Sequence, residues 1–304
     1  MSVLRLGYVH ARVTDMADAV SHYERTLGMR NVGASDGKQY LRGWDEWEHH
    51  SLVLEEGGVG LVKLGYKCAT ADNVNDYENR AQAFGVNVER MSKGENVETG
   101  DGIRITLPSE HVIELYSEMT VVGNDTGFIN PEVFPRDLAG VGVPGLDHAL
   151  ITAEDPALTE RFFIECLDWF PTERVQTSLD DDHQMIGTWL SASMKVHDLA
   201  IIGGPQGKLH HFAFQLEDWS KVGRAASLFS MDDVSVDIGP TQHGITRGTT
   251  IYFFDPAGNR NEVFAGGYHA YRDRPVVRWT VDQLGKGIFY VDRELNERFT
   301  TVLT

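Results

Sequence analysis

The chain has 304 residues, of which 41% are hydrophobic and 24% are charged, enough material of ordinary composition for two folded domains. Its formal net charge of −18 argues against nucleic acid or an anionic membrane surface as the main partner, because both attract basic patches. No apolar run approaches the roughly 18 residues that a transmembrane helix needs, so we expect no membrane partner.

The N-terminus and the cysteines indicate the cytoplasm. The first residues lack the apolar segment and small-residue cleavage site of a secretion signal. The two cysteines, Cys68 and Cys166, lie in separate halves of the chain and form no metal or redox motif. We therefore predict a cytoplasmic protein without a disulfide framework.

The first strand and helix have a second copy further along the chain. Residues 7–14 resemble residues 145–152, and both segments are short and partly alternating in hydrophobicity, as strands are. Asp15 and Asp155 follow as typical helix N-caps, and Pro156 fits the first helical position. Apolar residues at helical spacing come next in both copies, which predicts an amphipathic helix in each.

The two copies also end alike. Residues 107–116 match residues 255–264, and in each a proline turn leads into a strand that carries one glutamate. Short apolar runs broken by Gly, Asp or Asn lie between the helix and this strand. Each copy is therefore predicted as a strand and a helix followed by a meander of strands, an α+β arrangement.

The stretch 117–145, rich in proline and glycine, predicts a linker between the copies. We divide the chain into an N-terminal module, residues 1–135, and a C-terminal catalytic module with an extension, residues 136–304. The extension from residue 270 could cover the mouth of a pocket or pack between domains, and the sequence leaves both open.

Three residues at strand positions of the second copy form a candidate metal site: His148, His211 and Glu262. Two imidazoles and one carboxylate can occupy one face of an octahedron and leave three adjacent positions free, as in non-haem Fe(II) oxygenases. A carboxylate inside an apolar strand needs a partner, which a metal or an arginine could supply. His210 should point to the opposite face of its strand, so we predict that it is not a ligand.

The first copy lacks this set. Its predicted counterparts are His10, Tyr66 and Glu114, so one imidazole is missing. We therefore predict a structural first module without metal and one metal ion per chain.

Three segments resemble the vicinal-oxygen-chelate superfamily, and within it the type I extradiol dioxygenases of the catechol 2,3-dioxygenase (metapyrocatechase) family. Residues 248–264 resemble the family signature along their whole length, and residues 238–245 and 279–304 are also similar to the family. The resemblance implies two fused modules, each of paired βαβββ repeats, in the fold that glyoxalases and bleomycin-resistance proteins share.

The resemblance also implies roles for ten residues. Fe(II) would be held by His148, His211 and Glu262. The distal acid or base would be His197, and the groups that hydrogen-bond the catechol oxygens would be His243 and Tyr252. The pocket would be lined by Trp189, Ile245, Ile288 and Phe299. Trp189 departs from the smaller aromatic residue usual in the family, which leaves the preferred ring substituent open.

The residues alone leave some of these roles open. Without the resemblance, His197 fits a surface histidine, His243 a solvated loop residue, and Tyr252 a core tyrosine bonded to the backbone. A strand-entrance histidine can, however, shuttle protons near neutral pH, and a buried tyrosine hydroxyl needs a polar partner.

The implied reaction is extradiol (meta) cleavage of catechol or an alkylcatechol by O2 to a 2-hydroxymuconic semialdehyde, in aromatic hydrocarbon catabolism. The resemblance also implies a homotetramer. The alternatives are a 2,3-dihydroxybiphenyl-type extradiol dioxygenase, a glyoxalase- or epimerase-like metalloenzyme with an additional carboxylate ligand, and a non-catalytic binding protein, because one fold hosts many functions.

Overall fold

The structure is a computed structural model that describes residues 3–304. The first module contains eight strands and two α-helices within the described residues. These are β1 (Val3–Val13), α1 (Met16–Ser21), β2 (Arg30–Ser35), β3 (Lys38–Arg42), β4 (Leu52–Glu56), β5 (Gly60–Cys68), α2 (Ala71–Phe84), β6 (Val88–Met91), β7 (Gly102–Thr106) and β8 (Val112–Tyr116). The strands form one mixed sheet in the order β2-β3-β4-β1-β5-β8-β7-β6.

The second module repeats this plan and adds the C-terminal extension. Its elements are β9 (Gly145–Ala153), α3 (Pro156–Leu167), β10 (Phe170–Gln176), β11 (Met185–Ser191), β12 (Leu199–Gly203), β13 (Leu209–Gln215), α4 (Trp219–Met231), β14 (Val236–Gln242), β15 (Gly248–Phe254), β16 (Arg260–Gly266), β17 (Val277–Thr280), α5 (Leu284–Ile288) and α6 (Glu297–Thr301). The sheet order is β14-β15-β16-β13-β9-β12-β11-β10-β17. This confirms the predicted α+β class with two fused modules.

The helix starts lie where the sequence predicts them. Asp15 accepts a hydrogen bond from the backbone N–H of Asp18, and Asp155 accepts one from that of Leu158. Pro156 occupies the first turn of α3. Both N-cap predictions are confirmed, because each carboxylate satisfies a backbone donor that the helix leaves free.

One continuous hydrophobic core joins the modules. The cluster includes Leu6 and Leu64 from the first sheet and Phe162 and Phe253 from the second module. Helix α2 packs against α3 across the boundary. Between β8 and β9 the chain forms only isolated bridges, so this stretch is irregular, as predicted for a linker. The boundary between residues 135 and 136 stays a prediction.

Both cysteines are free and buried. Within residues 3–304, no helix has the length and apolar character required to cross a membrane.

Candidate metal centre and its cavity

The three predicted metal ligands converge in the middle of the second sheet. His148 lies on β9, His211 on β13 and Glu262 on β16, which are adjacent strands. The Nε2 atoms of His148 and His211 lie 3.0 and 3.1 Å from the same carboxylate oxygen, Oε2 of Glu262. The two Nε2 atoms are 3.4 Å apart. All three side chains are buried.

The two distances to Glu262 fit an octahedral metal ion, and the 3.4 Å between the two Nε2 atoms corresponds to a wider angle at the ion. Donors about 2.0–2.2 Å from an ion, at right angles on one octahedral face, are about 2.8–3.1 Å from each other. In the described part of the chain, these three residues are the group of histidine, cysteine and acidic side chains that could hold an ion. His210 is not in this group: its Nε2 lies 2.8 Å from the backbone carbonyl of Phe299.

The electrostatics of the three donors favour a cation. Burial alone would raise the pKa of Glu262, but hydrogen bonds from His148 and His211 hold it well below its usual value. Burial lowers the pKa of His211 to about 4, so this ring is neutral, as a ligand must be. Burial would also lower the pKa of His148, but its bonds to Asp147 and Glu262 raise it to about 9. A bound cation would replace the proton that these two carboxylates attract.

Neighbouring side chains orient the donors. Asp147 Oδ2 lies 2.7 Å from His148 Nδ1, which directs Nε2 of that ring to the centre. The Thr250 hydroxyl donates to Glu262 Oε1 at 2.5 Å, so the other oxygen is left for an ion. Carboxylate–histidine pairs of this kind fix the ring orientation and raise the basicity of the ligand nitrogen.

All ten residues to which the sequence assigned a site role line one cavity of about 200 Å³ beside the three donors. His197 is buried, and its ring centroid is 3.9 Å from that of His148. Its Nδ1 has no hydrogen-bond partner. Burial, reinforced by the nearby His148, moves the pKa of His197 well below its usual value, so the ring is neutral.

His243 and Tyr252 form a hydrogen-bonded pair on the cavity wall. The Nδ1 of His243 contacts the carbonyl of Ile288, which can only accept, so Nδ1 carries the proton. The other nitrogen, Nε2, then accepts from the Tyr252 hydroxyl at 3.0 Å. Burial raises the pKa of Tyr252 well above its usual value, and the charge of Glu262 adds to this. The tyrosine therefore stays protonated.

The remaining walls are apolar. Trp189 and Ile245 pack in one buried cluster, to which Ile288 of the extension is added. Phe299 of α6 lies against the ring of Tyr252, with 4.8 Å between the centroids. The extension therefore lines the cavity, and its last residue, Thr304, lies beside Gly60 of the first module, so both roles that the sequence left open are supported.

Sequence reasoning missed several wall residues. The additional apolar residues that line the cavity are Leu150, Val175, Ile186, Ile202, Phe264, Leu284 and Leu295. Leu150 and Phe264 lie two positions after a ligand on their strands, so they share its face. Alternation along the strands could have identified these two, whereas the others require the three-dimensional structure.

The first module corrects one prediction. Strand pairing makes Tyr8, Lys63 and Glu114 the counterparts of the three donors, because each occupies the same register position in its sheet. The predicted counterparts His10 and Tyr66 are therefore wrong. The sequence comparison aligned the two first strands two residues out of register, because it matched Gly7 with Gly145 and so His10, not Tyr8, with His148.

In the first module, side-chain cations occupy the place of a metal. Lys63 Nζ lies 2.8 Å from Glu114 Oε1, and Arg104 Nη2 lies 2.7 Å from the same atom. Asn96 and the hydroxyl of Tyr8 bond the other carboxylate oxygen. Glu114 is thus fully paired by donors of its own module, which fits the prediction of a module without metal.

Comparison with known proteins agrees with this geometry. Residues 145–263 match the family described as the Glyoxalase/Bleomycin resistance protein/Dioxygenase superfamily. Residues 63–120 match the Catechol 2,3-dioxygenase-like N-terminal domain.

Individual relatives cover almost the whole chain. A metapyrocatechase of Pseudomonas sp. (strain CF600) is 42% identical over 99% of this chain and 99% of its own length. A manganese-dependent 2,3-dihydroxybiphenyl 1,2-dioxygenase of Geobacillus genomosp. 3 is 24% identical over 96% of this chain and 95% of its own. The solved structure of the 2,3-dioxygenase LapB from Pseudomonas sp. KL28 has a TM-score of 0.89 and 41% identity, covering 93% of this chain and 99% of that chain. The chain therefore belongs to the extradiol dioxygenases of the vicinal-oxygen-chelate superfamily, in the catechol 2,3-dioxygenase (metapyrocatechase) family.

Proposed function

We propose that this enzyme uses O2 to cleave catechol or a simple alkylcatechol beside the diol, giving a 2-hydroxymuconic semialdehyde in aromatic hydrocarbon catabolism. The observation that carries the proposal is the three-donor face of His148, His211 and Glu262, which borders a largely apolar cavity. A flat aromatic diol could bind there with its ring against the apolar walls and its oxygens towards the donors. The relative that is 42% identical is a metapyrocatechase.

We propose Fe(II) as the metal. Two imidazoles and one carboxylate with free coordination positions are the donor set of non-haem Fe(II) oxygenases. When bound, the ion supplies positions for both catechol oxygens and for O2, and it lets electron density pass from the ring to O2. Carboxylate also suits manganese, and one relative is described as manganese-dependent, so the test must compare the two ions.

His197 is the group proposed to move a proton. It is neutral because burial lowers its pKa, and its Nδ1 has no hydrogen-bond partner among residues 3–304. A neutral imidazole beside the reacting centre can accept a proton from one oxygen and return it to another. Its position against the ring of His148 supports this role, because His197 would lie beside an ion held by that ligand.

His243 and Tyr252 are proposed to orient the diol. The fixed proton on His243 Nδ1 leaves Nε2 as an acceptor, and the hydroxyl of Tyr252 is a donor that stays protonated. If the Tyr252 hydroxyl turned from His243 Nε2 to a bound catechol, the pair would offer one donor and one acceptor to the catechol oxygens. Holding both reactants in one geometry is the main rate contribution expected of such groups.

The walls are proposed to set the substrate class. Trp189, Ile245, Ile288 and Phe299 surround the space beyond the donors with carbon. A cavity of about 200 Å³ has room for a single ring with a small alkyl group. One methyl group changes discrimination by only about 1–3 kcal/mol, so the preferred alkylcatechol must be measured.

The experiment is reconstitution without oxygen. Metal-free enzyme is loaded with Fe(II), Mn(II) or Zn(II), mixed with catechol, and then exposed to air. We expect a yellow product and one O2 consumed for each catechol with Fe(II). His211→Ala should abolish both signals, whereas His183→Ala, on a loop outside the cavity, should change neither. No O2 uptake with any ion would contradict the proposal and favour a glyoxalase-like reaction.

We also propose a homotetramer, from the family resemblance, and a cytoplasmic location, which the two free cysteines support. Light scattering coupled to size-exclusion chromatography tests the subunit number, and fractionation of the native cells tests the location.

A further inference from the structure

The loop between β14 and β15 is held in a strained conformation. Thr246 and Arg247 both have positive φ angles, 64° and 61°. This left-handed region is unfavourable for a β-branched residue such as Thr246. Strained residues persist only when their surroundings over-determine them, so an element outside the loop must fix this one.

The loop matters because it carries cavity residues. His243, Ile245 and Thr246 all line the cavity beside the metal donors. The backbone N–H groups of Gly244 and Ile245 donate to the carbonyl of Gly287, at 2.9 and 2.8 Å. The position of the loop therefore sets the position of two of the proposed substrate contacts.

Glu173 bonds the strained turn from outside the loop. It lies on β10 and is 1% exposed, yet it is neither one of the three metal donors nor a residue that lines the cavity. Its Oε1 accepts from the backbone N–H of Thr246 at 2.6 Å and from the hydroxyl of Tyr268 at 2.9 Å. Its Oε2 accepts from the indole N–H of Trp279 at 2.6 Å.

These three bonds join distant parts of the second sheet. Thr246 lies between β14 and β15 at one edge of the sheet, whereas Glu173 and Trp279 lie on β10 and β17 at the other edge. Trp279 also packs against the buried cluster that contains Ile245. The carboxylate therefore links both edges of the sheet around the cavity.

We propose that Glu173 is a positioning residue, whose carboxylate holds His243 and Ile245 in place for catechol binding. This inference rests on the proposed function. Thr246, Tyr268 and Trp279 all donate hydrogen bonds to Glu173, so an ionised carboxylate can accept all three. A glutamine side chain would point its own N–H groups at one or more of these donors.

The test compares Glu173→Gln with a matched control, Glu160→Gln. Glu160 is also buried in the second module, but it bonds Arg174 and Thr188 away from the cavity. We expect Glu173→Gln to bind one iron per chain and to lose about 100-fold in kcat/KM for catechol, because a small displacement of orienting groups has effects of this size. Glu160→Gln should lose stability and keep kcat/KM within twofold.

A second readout does not depend on activity. The Thr246 amide is the probe, because its hydrogen-bond partner is the Glu173 carboxylate. Its hydrogen exchange is measured in the metal-free proteins. The amide should exchange at least tenfold faster in Glu173→Gln than in wild type and Glu160→Gln. If wild type shows no turnover of catechol, the proposed function fails, but the exchange rates still test the positioning role.

Tyr268→Phe keeps the test decisive if Glu173→Gln does not fold. It removes one donor and leaves the carboxylate, so a loss of about tenfold in kcat/KM is expected. Added to a folded Glu173→Gln, it should cause little further loss. Unchanged Thr246 exchange and kcat/KM in these variants, or equal changes in Glu160→Gln, would overturn the proposal.

Discussion

His197 is buried, and its Nδ1 has no hydrogen-bond partner among the described residues. A buried polar atom without a partner destabilises the fold, so we expect this histidine to have a functional role. His197→Phe keeps the ring volume and removes the proton acceptor. We expect one iron per chain, as in wild type, and a fall in kcat of about 10²–10⁴-fold, the usual contribution of an acid or base. Metal analysis and an oxygen electrode measure both quantities. Turnover at the wild-type rate would refute the role.

Asp147 is joined to the predicted metal ligand His148 by one hydrogen bond. It accepts from His148 Nδ1 and lies 3.4 Å from the Lys195 ammonium. Asp147→Ala should weaken Fe(II) binding by about 10–100-fold, since the ligand ring loses its orienting acceptor. Competition with a chelator measures the affinity. Asp147→Asn keeps an acceptor and should lose less, and equal affinity in Asp147→Ala and wild type would contradict the interpretation.

Among the helices and strands, the sequence predicted those features that depend on a few neighbouring residues. The N-caps Asp15 and Asp155 and the strand that carries Glu262 are visible in a few neighbouring residues each. The contacts of Glu173 were not predictable, because its partner Thr246 lies 73 positions away in the chain. Local patterns specify an element, but side-chain pairing across a sheet depends on how the whole sheet closes.

The register of the first module was also beyond sequence reasoning. Each β-bulge moves the pairing by one residue, and the β1–β5 pair has three irregularities. His10, which the sequence aligned with His148, lies two positions after Tyr8, and Tyr8 occupies the place of the first ligand. Lys63, which no motif marked, occupies the place of the second ligand.

This register leads to a prediction for β5. Lys63→Met removes one of two cations from the buried carboxylate of Glu114, and Arg104 remains. We expect the free energy of unfolding to fall by about 1.5–3 kcal/mol, the usual size for a hydrogen bond to a charged group. Iron content should stay at one per chain. Denaturant unfolding measures the change, with the exposed Lys93→Met as control, and equal stability of both variants would contradict the role of Lys63.

In the whole molecule, the two modules are joined by hydrogen bonds as well as by the packing of α2 against α3. The backbone N–H of Gly60 donates to Asn259, and the Asn259 amide donates to the carbonyl of Arg12. Because Asn259 lies in the turn before β16, the first module supports the strand that carries Glu262. The first module thus supports the strand that carries one of the three donors.

Tyr23 gives the sharpest test of this coupling. It lies in a π-helical turn, His22–Thr26, that follows α1, and its hydroxyl donates to Asp255 of the second module at 2.9 Å. Tyr23→Phe leaves that buried carboxylate short of a donor, so the free energy of unfolding should fall by about 1.5–3 kcal/mol. Tyr77→Phe is the matched control, because the buried hydroxyl of Tyr77 has no partner and its loss should cost little. If the modules fold as one unit, denaturant unfolding of Tyr23→Phe remains a single transition at lower denaturant, and loss of iron follows the same curve. Two separate transitions, with iron loss confined to one, would show instead that the second module holds its metal site without the first.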